Sequence, residues 1–118
     1  MRTFSICPSD WSSELSVADA VYAIQAAFPQ ACISPERGQE HARAILQRLR
    51  SLNAPEIVQA AYVENATQAV MITITSAHSG GTHEFMLMPH EGIQLRCADD
   101  LLAQAIAAAL GYECEEIG

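Results

Sequence analysis

The apolar positions of this chain change period several times, and each change marks an element. Residues 2–7 alternate, with Phe4 and Ile6 on one face, which predicts a short strand ended by Pro8-Ser9-Asp10. From Ser16 the spacing becomes helical. Val17, Ala20, Val21, Ile24 and Phe28 share one face, Ser16 with Asp19 forms a capping-box variant, and Pro29 stops the helix. Residues 30–33 read as a linker or a very short strand. A second helix is predicted from Ser34, its cap, through Pro35 and Glu36 in its first turn. Ala42, Ile45, Leu46, Leu49 and Leu52 form its apolar stripe, and Asn53-Ala54-Pro55 ends it.

The second half alternates. Ile57 to Val63 reads as a strand followed by a turn at Asn65-Ala66. Val70, Ile72 and Ile74 against Met71, Thr73 and Thr75 is a strong strand signal. After a loop over residues 77–82, His83 to Met88 forms a third strand, with Phe85 and Leu87 opposite Met86 and Met88. Pro89-His90-Glu91-Gly92 is a tight turn, and Ile93, Leu95 and Cys97 mark a fourth strand. A last helix runs from Asp99 or Asp100 to Leu110 and stops at Gly111. It is apolar nearly all round, which predicts deep burial. The tail, Tyr112-Glu113-Cys114-Glu115-Glu116, is acidic.

Together these elements predict a single α+β domain over residues 1–118. The expected form is an antiparallel meander of about four strands, with a fifth from the N-terminus. Three helices pack mainly on one face, in the order (β)-α-α-β-β-β-β-α.

Charge then narrows the picture. The net charge is −8, and all six basic residues are arginines. Arg37, Arg43, Arg48 and Arg50 lie within residues 36–50, where only Glu36 and Glu40 oppose them, so that stretch carries +2 and the rest −10. At 100° per residue the arginines flank the apolar stripe: Arg43 and Arg50 on one edge, Arg37 and Arg48 on the other. An acidic body of this kind is unsuited to wrapping nucleic acid. The most apolar run, Leu101 to Leu110, is half of what a membrane span needs. No apolar segment follows Arg2, so the N-terminus does not read as a signal peptide. A cytoplasmic location with reduced Cys7, Cys32, Cys97 and Cys114 is expected. The alanine-rich, lysine-free composition fits a GC-rich bacterial genome.

Candidate chemistry is sparse. His78, His83 and His90 bracket one strand, but His83 and His90 are about 23 Å apart if that strand is extended, too far to share a metal. No C-x-x-C pair occurs, so neither a metal nor a cofactor is expected. Ser79-Gly80-Gly81 is neither a nucleophile elbow nor a phosphate cradle. Asp99-Asp100 is explained by helix capping. Cys97 alternates with Ile93 and Leu95 and reads as core, despite its place before a helix.

Trp11, the single tryptophan, sits in a polar loop, where it either caps the edge of the core or anchors a partner. Met71, Met86 and Met88 occupy the strand face opposite the best core residues, which predicts a cover over that face. The acids Glu84, Glu91, Glu113, Glu115 and Glu116 complete the candidate partner-binding set.

The expectation from these features is a small acidic protein-binding domain without catalytic activity. Its sharper form is an immunity-type neutraliser of a basic toxin or effector. Two alternatives remain. A secretion-chaperone-like homodimer is one, although the predicted order places both early helices before the strands, whereas such domains interleave them. A small ligand-binding domain or enzyme using the His78–His83 loop is the other.

Overall fold

A computed structural model describes residues 2–76 and 80–118. The chain is α+β. Its elements are β1 (Arg2–Cys7), a 3-10 turn (Trp11–Ser13), α1 (Val17–Ala27), β2 (Cys32–Ser34), α2 (Pro35–Ser51), α3 (Glu56–Ala66), β3 (Val70–Thr75), β4 (Thr82–Leu87), β5 (Ile93–Cys97), α4 (Leu101–Leu110) and β6 (Glu113–Glu116). Among the described residues no helix is long and apolar enough to cross a membrane.

Two three-stranded antiparallel sheets form, in the orders β5-β1-β6 and β2-β3-β4. β4 and β5 lie side by side, joined by a short turn, but share no hydrogen-bonded ladder. At one end of this seam His83 Nδ1 lies 3.4 Å from the Arg96 carbonyl oxygen.

Strand alternation divides the molecule into two cores. Phe4, Ile6, Ile72, Ile74, Phe85, Leu87, Ile93 and Leu95 face α1 and α4, where Ile24 and Ile106 are fully enclosed. α4 buries Ala103, Ile106, Ala107 and Leu110, more than any other helix, because its apolar residues surround it. The opposite face of β3 and β4 lies under α2 and α3, in a smaller cluster built on Ala42, Tyr62, Ala69 and Met88. α2 sits very close to the sheet. A Cβ added at Gly38 would stand 2.5 Å from the Val70 Cα, so only glycine lets the helix backbone approach this near.

The caps follow the sequence. The Asp19 amide donates to Ser16 Oγ, and the Arg37 amide to Ser34 Oγ. Asp99 Oδ1 accepts from the Leu101 amide at the start of α4. Gly111, with φ 69°, ends α4, and the Tyr112 amide donates back to the Ala107 carbonyl.

Several expectations are corrected. Residues 57–63 are helix, not strand. Glu-Ile-Val-Gln-Ala-Ala-Tyr-Val has no period-two alternation, Pro55 starts the helix, and its carbonyl accepts from the Val58 and Gln59 amides. The expected meander does not form as one sheet: β3 pairs with β4, whereas β5 pairs with β1 in the other sheet. Among the described residues α-helices number four, and they cover both faces rather than mainly one. The observed order, β-α-β-α-α-β-β-β-α-β, interleaves helices with strands. The short strand allowed at residues 30–33 is β2.

The acidic tail is also a strand. β6 pairs with β1, extended by hydrogen bonds between Thr3 and both Ile117 and Gly118. Backbone pairing holds it, since Cys114 is its only apolar residue. Leu52, expected in the buried stripe, is the C-cap of α2 and is 74% exposed, because the helix has run past the edge of the sheet. Ile45, Leu46 and Leu49 are half-buried.

Candidate functional site: a cleft over the seam

Where β4 and β5 fail to pair, α2 roofs a cleft of about 360 Å³. Met71 from β3 and Met86 from β4 form its apolar floor, beside Phe85, and Ile45 adds to the α2 roof. Polar groups come from four places: His41 from α2, Glu84 from β4, Gln94 from β5, and Glu91 from the turn between the two strands, where Gly92 completes the lining. The volume is within the range of small binding pockets.

Local structure explains why the turn holds this shape. His90 and Gly92 both have positive φ, 65° and 67°. Glu14 secures His90, its Oε2 accepting from the His90 amide at 2.9 Å and its Oε1 lying 3.1 Å from His90 Nδ1. Gly92 is required twice over. Its φ favours glycine, and a Cβ there would stand 2.6 Å from Cys7 Sγ.

The two carboxylates of the cleft differ. Glu84 forms a salt bridge with Arg37 on the first turn of α2. Glu91 forms no salt bridge among the described residues. Glu91 is an exposed residue, but partial desolvation at the turn shifts its carboxyl upward from the ordinary value, and the charge of His90 opposes this. Tyr62, the buried residue of α3, has a hydroxyl with no hydrogen-bond partner among the described residues. Burial, and then the nearby charge of Glu91, raise its pKa.

Of the six partner-binding candidates from the sequence, the fold brings three to this cleft. Glu84 and Glu91 line it. Trp11, 48% exposed, lies against Gly92, with its ring edge 3.7 Å from where a Cβ would stand. Glu113, Glu115 and Glu116 do not join them. They lie on edge strand β6, separated from β5 by β1. Glu116 is bound to Arg2 at 2.7 Å, and that contact holds its carboxyl below the usual range. The charges on β6 also discourage another strand from adding to this edge.

His41 and Gln94 gave no signal in the sequence. His41 lies on a helix turn among arginines, and only the tertiary contact of α2 with the sheet gives it a cavity. The methionines gave one: Met71 and Met88 are buried and Met86 half-buried beneath α2.

The remaining candidates are scattered. His78 lies outside the described residues. Among the described residues no group of three His, Cys, Asp or Glu side chains is placed to hold a metal. All four cysteines are free thiols. Cys97 is buried in the main core, its thiol donating to the Asp99 carbonyl, and burial raises its pKa. No protein-family model matches this chain, and no curated protein or solved structure matches it.

Proposed function

We propose that this chain is a small cytoplasmic protein-binding domain that receives a cationic side chain of a basic protein partner in the cleft between α2 and the β4–β5 seam. One observation carries the reading: two carboxylates, Glu84 and Glu91, line the same cleft as Ile45, Met71 and Met86. A lysine or arginine side chain has the matching construction, an apolar stem with a charged head. Methionine floors adapt to stems of different shape. Glu91, without a salt bridge among the described residues, is the group that gains most from such a head. Trp11, half-exposed beside Gly92, supplies an aromatic contact at the rim. The overall charge of −8 speeds encounter with a basic partner, as a neutraliser of a toxin or effector requires.

The test is capture of partners from the native organism at low salt, followed by association kinetics on the recovered protein. Changing both Glu84 and Glu91 to glutamine should raise the dissociation rate. Changing Glu113, Glu115 and Glu116 to glutamine should mainly slow association and flatten its salt dependence. Binding indifferent to salt and to both variants, or a ligand held through His78 and His83, would overturn the reading.

A further inference from the structure

The α2–α3 hairpin carries apolar surface that the monomer does not cover. α3 buries only Tyr62, while Ile57 is 79% exposed and Val58 and Val63 are also exposed. Leu52 adds to the patch at the hairpin tip. Large apolar side chains on a helix are ordinarily buried, and a group of exposed ones marks a contact site. Between the two helices runs a groove of about 180 Å³, lined by Ala42, Leu46, Val63 and Ala66, with Arg43 beside it.

We infer that this face is covered by the same hairpin of a second copy of the chain, with α3 packed antiparallel on α3 about a two-fold axis. Charge complementarity identifies the occupant. Two copies of a chain of charge −8 repel over most of their surface, and only the +2 stretch of α2 invites approach. Arg43 shares the groove with Val63 and Thr67, so it lies level with the end of α3. Arg50, on the same edge of α2 and about 10.5 Å further along, lies level with the start of α3. Antiparallel packing sets the start of one α3 against the end of the other. Glu56 then meets Arg43 of the partner subunit, and Glu64 meets Arg50 of the partner subunit. Among the described residues none of these four side chains forms a salt bridge within the chain.

The middle of the outer face is Ala60 and Ala61, both exposed, which lets the two helix backbones approach closely. A stable dimer buries roughly 800 Å² per partner. α3 alone is about 16 Å long and too small for that, so the grooves and the α2 edges must close together as a four-helix layer.

Sedimentation equilibrium across a concentration series tests this. The wild-type chain should approach twice its 12.7 kDa mass. The variant carrying Arg43→Glu and Arg50→Glu should be monomeric, as should the variant carrying Glu56→Arg and Glu64→Arg. Each should keep the wild-type circular dichroism spectrum, and an equimolar mixture of the two should regain the dimer mass. A wild-type monomer at every concentration, a dimer insensitive to either variant, or a mixture that stays monomeric would overturn the proposal. So would a monomer whose hairpin instead takes up an acidic amphipathic helix from another protein.

Discussion

Replacing Gly38 by alanine sets two physical effects against each other, and the structure says which wins. In a helix interior this change ordinarily stabilises by about 0.8–1.0 kcal/mol, because glycine loses more backbone freedom on folding. Here the new methyl would stand 2.5 Å from the Val70 Cα, 2.6 Å from its carbonyl carbon and 2.7 Å from the Ala69 oxygen. All three are backbone atoms of the β3 entry and cannot rotate away. Ordinary contact begins near 3.4 Å, so α2 must lift by close to 0.9 Å. A gap of that size forfeits about a quarter to a half of each dispersion contact beneath Ala42 and Ile45. Overpacking of this kind typically costs about 1–3 kcal/mol, and fixed backbone partners put it at the upper end. The net expectation is destabilisation by about 1–2 kcal/mol. Urea unfolding followed by circular dichroism measures it, with the slope checked for constancy. A variant more stable than wild type would mean that α2 does not lie on the sheet as described, and the cleft beneath it would lose its roof.

Other expectations follow from burial, capping and charge. Ile106→Ala should cost about 2–5 kcal/mol because the side chain is fully enclosed, and Leu46→Ala clearly less because that leucine is half-buried; equal costs in denaturant unfolding would contradict the two-core division. Ser16→Ala removes the acceptor of the Asp19 amide and should cost about 1 kcal/mol, whereas a melting temperature unchanged from wild type would show the cap to be idle. The Glu91 carboxyl is raised above 4.5 in the folded state, so its contribution to stability is full below that pH and lost as pH rises through the folded value. Glu91→Gln should therefore raise the melting temperature at pH 7, and the gain should vanish below about pH 4.5. A gain that persists in acid would assign it to something other than the carboxylate.

Legibility in the sequence tracked how locally each feature is determined. α1, α2 and α4 were readable because Ser16, Ser34, Asp99 and Gly111 cap them with their own side chains or backbone freedom. β3, β4 and β5 were readable because Ile72, Ile74, Phe85, Leu87, Ile93 and Leu95 alternate along them and all enter the main core. α3 misled because Ile57, Val58, Tyr62 and Val63 favour strands intrinsically, while its helix is settled by Pro55 and by packing on α2. β6 was hidden for the opposite reason: an edge strand of glutamates has almost no apolar pattern, and its pairing with β1 is a contact across the whole chain. At the cleft, Glu84 and Glu91 stood out as charges in the sequence, but their meeting with His41 depends on how α2 crosses the seam. That crossing rests on Gly38 and on an unpaired β4–β5 boundary, neither of which has a sequence period.

The most direct test of the cleft as a binding site uses its own floor. The chain has four methionines, so a spectrum of methyl-labelled methionine is simple to assign. Titration with an arginine-rich peptide, in wild type and in the variant carrying Glu84→Gln and Glu91→Gln, reads occupancy at Met71 and Met86. Saturable shifts of these two methyl resonances are expected in wild type, weakened by salt and lost in the variant. Shifts absent from Met71 and Met86, or retained in full by the variant, would contradict the cleft as a binding site.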